Sequence, residues 1–132
     1  MVTIKQTVKF KASPHEIYEL LMDSKKHTKL TGYKAKISRK VGGKFIACNG
    51  WINGKNLELK KDKKIVQLWK GNNKDWPKEH YSKVTFSLKK IKNETKLTLI
   101  HSRLPKGWRD SCKKGWDRIY WSKLKRFLER QK

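Results

Sequence analysis

The sequence is poor in acidic residues: 11 Asp and Glu stand against 35 Lys and Arg in 132 residues, leaving a formal net charge of +24. So few carboxylates give no basis for a catalytic carboxylate pair or a Ser/His/Asp arrangement. They also mean that any polyanion, acidic protein face or anionic membrane attracts the chain. The attraction names no partner, because the lysines are spread along the whole sequence rather than gathered into one block. Cysteine is scarcer still. Cys48 and Cys112 lie far apart, in neither a CxxC nor a Cys/His zinc spacing. That argues against a disulfide scaffold or a zinc module and fits a reducing compartment. No apolar run approaches the roughly 20 residues of a membrane span. The N-terminus alternates where a signal peptide would be continuously apolar. The expectation is one soluble cytoplasmic domain over residues 1–132, with no membrane, metal or cofactor in its function and no enzymatic activity.

What the sequence does have is six tryptophans and 36% hydrophobic residues, enough for a core in a chain of 15.7 kDa despite 35% charged residues. Val2, Ile4, Val8 and Phe10 alternate with Thr3, Lys5, Thr7 and Lys9, which predicts a half-buried strand. At "SPHEIYELLMD" Ser13 suits an N-cap, Pro14 the first helical position and Glu16 the third, ahead of Ile17, Leu20 and Leu21 at helical spacing. "SKKHTKLTG" predicts a second short helix ending before Gly32. From Tyr33 to about Arg103 the pattern is strand-like: Ile65, Gln67 and Trp69 share one face, and Val84, Phe86, Leu88, Leu97 and Leu99 alternate with polar neighbours. Short turns between such strands predict an antiparallel meander.

From Gly107 to about Arg130 the period changes. Trp108, Cys112, Trp116, Ile119, Tyr120, Leu124, Phe127 and Leu128 recur every three or four residues, which predicts a helix about 35 Å long at 1.5 Å per residue. One apolar sheet face and one apolar helix stripe cover each other, giving a two-layer α+β domain.

"VGGKFIACNGWINGKNLEL" holds four glycines. A phosphate-binding loop needs its last glycine to be followed by Lys and Ser/Thr at a helix start, whereas here strand-like segments follow. The glycines therefore read as architecture. Asn49-Gly50 predicts a tight hairpin turn, and Gly54, inside a strand, marks the close approach of another element, with the long helix the obvious candidate.

These blocks, together with "KIVQLWKG", "DWPKEHYSKVTFSL", "TKLTLIHSRLP" and "GWDRIYWSKLKRFL", resemble in order and spacing the activator of heat shock protein 90 ATPase family, most closely its C-terminal domain. The resemblance implies a helix-grip, START-like (SRPBCC) fold: a curved antiparallel sheet wrapped around a long C-terminal helix, with two short helices after the first strand. It implies a co-chaperone that binds heat shock protein 90 and favours its closed, ATP-hydrolysing state. Two-domain activators also carry an N-terminal domain that these 132 residues do not include. The alternative that the wider superfamily implies is a module for a small hydrophobic ligand held between sheet and helix.

For partner binding the "WP" loop is the candidate, with Trp76 as an exposed aromatic flanked by Pro77, Lys78 and His80, together with Lys113, Lys114 and Arg118 on the outer face of the long helix. On this reading, removing the Trp76 ring leaves stability nearly unchanged. Phe45, Trp69, Tyr81, His101, Trp116 and Tyr120 are the candidate cavity lining, although apolar stripes mostly mean packing. Nucleic-acid binding through Lys excess and stacking on Trp51, Trp76 and Trp108 is the least favoured binding mode, since no RRM, KH or zinc-finger pattern accompanies it. His15, His27, His80 and His101 show no metal spacing.

Overall fold

The computed structural model describes residues 1–130. Strand β1 (Val2–Phe10) leads into α1 (Pro14–Met22) and α2 (Ser24–Thr31). Six further strands follow: β2 (Lys36–Ile37), β3 (Lys44–Ala47), β4 (Ile52–Lys60), β5 (Lys64–Gly71), β6 (Ser82–Ile91) and β7 (Glu94–Leu104). A long C-terminal helix closes the chain, made of α3 (Arg109–Gly115), a π-helical stretch (Trp116–Trp121) and α4 (Ser122–Arg130).

The seven strands form one antiparallel sheet in the order β1-β7-β6-β5-β4-β3-β2. Consecutive strands from β2 to β7 pair as hairpins, and β1 closes onto β7, so the first strand meets the last. The curved sheet grips the long helix, the α+β helix-grip arrangement that the resemblance implies. Each strand contributes one face to the core. Ile65, Gln67 and Trp69 of β5 are buried, as are Val84, Phe86 and Leu88 of β6 and Leu97 and Leu99 of β7.

The local rules work as expected in the first helices. The Ser13 hydroxyl accepts from the Glu16 backbone N–H at 3.1 Å, with Pro14 in the first turn. Asp23 caps α2 by accepting from Lys26 N–H at 2.9 Å, and Gly32 ends it in the left-handed region at φ 81°.

Three expectations need correction. The turn at Asn49-Gly50 is longer than a two-residue hairpin: Ala47 pairs with Ile52, so residues 48–51 form the loop. Cys48, Asn49 and Gly50 all have positive φ (52°, 58° and 94°). Asn49 holds this left-handed loop in place, since its side-chain oxygen accepts from Lys34 N–H at 2.6 Å and its own N–H donates to the Lys34 carbonyl at 3.0 Å.

The element pressed against Gly54 is not the long helix. A Cβ there would lie 1.7 Å from the Leu68 carbonyl oxygen and 2.9 Å from the Phe45 ring. The neighbouring strand β5 and the Phe45 side chain leave no room.

Nor is the C-terminal helix regular. The π-helical stretch inserts one residue into the α period, so Trp116 and Trp121, five apart, stack on the same face with ring centres 5.6 Å apart and planes 17° apart. Trp121 is buried with Leu124 and Leu128, at spacings of three and four, and the π-helical stretch brings Trp116 onto the same face.

Candidate functional site

A concave feature lies at one end of the sheet, under α3 and the π-helical stretch. It is a cavity of about 240 Å³ with an almost wholly apolar lining, including Trp69, His101, Trp116 and Tyr120. Those four of the six expected lining residues come together there. Phe45 is buried behind Trp69, with ring centres 5.7 Å apart, and does not line the cavity. Tyr81 is 38% exposed and lies under the Lys70 ammonium on the outer surface, so it too is corrected. It sits one residue before Ser82, whose side chain points inward, and strand alternation puts it on the opposite face.

The polar side-chain atoms of Trp69, His101, Trp116 and Tyr120 all have internal partners. Trp116 donates its indole N–H to His101 Nδ1 at 3.1 Å. With that nitrogen accepting, the neutral ring carries its proton on Nε2, which donates to the Ser82 hydroxyl at 2.7 Å, and Ser82 donates to the Trp69 carbonyl at 3.2 Å. Burial holds the His101 pKa down at about 4, so the ring is neutral at physiological pH. Neither nitrogen is left free to act as a base.

A second chain starts from the Trp69 indole N–H, which donates to Gln67 at 2.9 Å. Gln67 donates to Asn56 at 3.0 Å, and Asn56 donates to the Ser38 and Lys40 carbonyls at 2.7 and 3.0 Å.

His27 is the functional-looking residue that sequence reasoning passed over. It is only 5% exposed. Its Nδ1–H donates to the Leu21 carbonyl at 3.2 Å, leaving Nε2 to accept from the Tyr120 hydroxyl at 3.1 Å. Burial lowers its pKa and raises that of Tyr120 well above the usual phenol range. The Cys48 thiol hydrogen-bonds the same hydroxyl, with its pKa raised by burial. Cys112, on the helix side of the cavity, is pushed up to about 11 for the same reason. Both thiols are held as unreactive acids. A lone histidine in a polar helix gave no signal that its ring would turn inward.

The "WP" loop differs most from expectation. Trp76 is buried at 7% exposure, in a satellite cluster with Ile4, Leu104 and Trp108. Its indole N–H donates to the His80 carbonyl at 2.8 Å, and its ring packs edge-on to Trp108 at 5.5 Å and against the Gly71 backbone. His80 in turn contacts the Arg103 carbonyl through Nε2 at 2.7 Å. The tryptophan folds back over the end of the sheet, and only Pro77 and Lys78 of the expected surface remain exposed. The exposed tryptophan is Trp51, at 59%, on the left-handed loop at the cavity mouth. Lys113, Lys114 and Arg118 are all exposed on the long helix, as expected.

Among the described residues no helix is long and apolar enough to cross a membrane, and no three His, Cys, Asp or Glu side chains gather as metal ligands.

Comparison with known proteins places this geometry. The human activator of 90 kDa heat shock protein ATPase homolog 1 is 28% identical over 124 residues, which cover 94% of this chain and 36% of the human protein. The chain thus spans about a third of the length of the curated relatives it matches. A crystal structure of a heat shock protein 90 activator from Plasmodium falciparum superposes with a TM-score of 0.90 at 31% identity, covering 98% of this chain and 97% of that one. The solution structure of an Aha1 dimer from Colwellia psychrerythraea follows at TM-score 0.80 and 25% identity, covering 95% and 94%. The family model described as activator of Hsp90 ATPase homolog 1-like protein matches residues 11–129, and the chain belongs to that family.

Proposed function

We propose that this chain is a co-chaperone domain that binds heat shock protein 90 and raises its ATPase rate. The observation that carries the reading is the match to the Plasmodium activator. That protein is covered over 97% of its length at 31% identity, so a single domain of this fold bears the description of activator. The work done on the chaperone would be a population shift. A partner that binds the closed state better than the open one moves the balance by its differential affinity, and each tenfold preference corresponds to about 1.4 kcal/mol.

The surface that fits such contact differs from the one the sequence pointed to. Trp51 supplies an exposed aromatic, and Lys113, Lys114 and Arg118 supply positive charge on the long helix, a combination suited to an acidic face with an apolar anchor point. Trp76 has an architectural role instead.

The test is to measure the affinity of the chain for heat shock protein 90 without nucleotide and with a non-hydrolysable ATP analogue. Tighter binding to the nucleotide-closed chaperone supports the mechanism. Equal affinity for both states removes it, because a ligand without preference shifts nothing.

A further inference from the structure

The outer face of the sheet, turned away from the long helix, takes no part in the surface contacts above. Strand alternation defines it. In β5 Ile65, Gln67 and Trp69 are buried in the core, so Lys64, Val66, Leu68 and Lys70 point outward. The register then lays out rows across the strands. Lys44 of β3 stands opposite Lys55 of β4, Lys55 opposite Leu68 of β5, and Leu68 opposite Lys83 of β6. In the next row Val66 stands opposite Thr85, Thr85 opposite Ile100, and Ile100 opposite Lys5 of β1. Ile46, Asn53 and Lys70 form a third row. The lysines look scattered along the sequence because each strand contributes one or two, and the ladder gathers them on one side.

Two features separate this face from an ordinary solvated one. The first is the lack of opposite charge. Of the 11 acidic residues of the chain, Glu58 alone lies among these rows, opposite Val66, and it already pairs with Lys60 and Lys64 at 3.9 and 3.5 Å. Lys44 and Lys55 face each other directly, an arrangement that lowers stability and that an anionic partner would relieve. The second is exposed apolar surface. Eight large hydrophobic residues are exposed among the described residues, and four of them lie here: Ile46 (48%), Leu57 in the β4 bulge (39%), Tyr81 (38%) and Ile100 (37%).

That combination selects among polyanions. Nucleic acid presents phosphates and flat bases that call for stacking rings. This face offers aliphatic side chains and one tyrosine ring, already covered by the Lys70 ammonium at 5.7 Å. An anionic lipid surface presents headgroup phosphates with hydrocarbon directly beneath, so it engages the lysines and the aliphatic side chains together. Tyrosine is also enriched at that depth.

We propose that the outer sheet face docks on an anionic lipid membrane, with Lys5, Lys44, Lys55 and Lys83 against the headgroup phosphates and Ile46 and Ile100 entering the headgroup layer. The chain lies on such a surface and does not span it. The contact uses neither Trp51 nor the long helix, so it stands or falls apart from the chaperone reading.

Co-sedimentation of the purified chain with vesicles tests it. Binding is expected to vesicles of phosphatidylcholine and phosphatidylserine in equal parts and not to pure phosphatidylcholine, and it should fall steeply between ~0.1 M and ~1 M salt. A lysine at such a surface contributes about fivefold in affinity, so Lys44→Gln, Lys55→Gln and Lys83→Gln together should weaken binding at least tenfold. The matched control is Lys25→Gln, Lys26→Gln and Lys29→Gln on α2, which packs on the long helix through the His27–Tyr120 hydrogen bond. It should lose far less. Ile46→Ser with Ile100→Ser should weaken binding several-fold at unchanged charge and near wild-type Tm. Absence of binding to the anionic vesicles would overturn the proposal. Equal losses from the two lysine sets would overturn it too, by reducing the effect to the net charge of +24. Undiminished binding of the serine variant would remove the bilayer as the partner, and tighter binding of single-stranded RNA than of the vesicles would put nucleic acid in its place.

Discussion

Trp116 and His101 are joined by a hydrogen bond of 3.1 Å from the indole N–H to Nδ1, which ties the long helix to strand β7 and fixes the tautomer of a histidine buried in the sheet. Protonating His101 would turn that acceptor into a donor facing a donor. Burial lowers the pKa of His101 to about 4 and also lowers that of His27. Both histidines therefore bind protons more readily in the unfolded chain. Stability is full above the ordinary histidine pKa of about 6.5 and is lost as pH falls toward about 4. Acidification through this range costs the fold on the order of 3 kcal/mol at His101, because the unfolded chain takes up a proton that the buried ring does not. Urea unfolding between pH 4 and 7 should show stability rising with pH, and the rise should be shallower in His101→Gln. A flat profile would show that the rings are hydrated in the folded state.

Gly54→Leu should abolish folding. The new Cβ would sit 1.7 Å from the Leu68 carbonyl oxygen, which is ladder backbone and cannot step aside. Circular dichroism melting checks this, and a wild-type Tm would mean that β4 and β5 are farther apart than described.

Trp76→Ala should now cost stability, about 3 to 5 kcal/mol for a buried tryptophan reduced to a cavity. Trp51→Ala, at an exposed position, should stay within about 0.5 kcal/mol of wild type while weakening chaperone binding. Paired denaturation and binding curves for the two variants separate the architectural tryptophan from the contact one. The reverse pattern would restore the "WP" loop as the interface.

Reversing Lys113, Lys114 and Arg118 to Glu should leave the Tm nearly unchanged, since all three are exposed. It should slow association with the chaperone several-fold and reduce its dependence on salt. Stopped-flow association rates at two salt concentrations read this directly. Unchanged rates would mean that this face of the helix stays in solvent.

The course of the fold was legible because its signals are periodic. Alternation in β1, β5, β6 and β7 and the Ser13-Pro14-Glu16 start of α1 depend on neighbours in sequence. What escaped depends on exceptions to period or on choices between faces. Trp121 shares a face with Trp116, five residues earlier, because the π-helical stretch adds a residue to the turn, which a three-to-four spacing counted from Trp116 does not anticipate. Trp76 looked exposed because its neighbours Pro77, Lys78 and Glu79 are, yet the ring folds back over Gly71 at the end of β5 and meets Trp108, a residue distant in sequence. Tyr81 and Phe45 were assigned to the cavity by residue type. Alternation puts Tyr81 outside, and the curve of the sheet puts Phe45 behind Trp69. The glycines of the Val41–Leu59 stretch were correctly read as architecture, but the element crowding Gly54 is a neighbouring strand, since ladder spacing is closer than any helix can approach.

The steady-state ATPase rate of the cognate heat shock protein 90, measured with increasing amounts of this chain at moderate salt and with a specific inhibitor of the chaperone setting the background, tests the central claim most directly. The account predicts a saturable, inhibitor-sensitive increase that Trp51→Ala diminishes. A folded chain that leaves the rate unchanged at saturating concentration would contradict it.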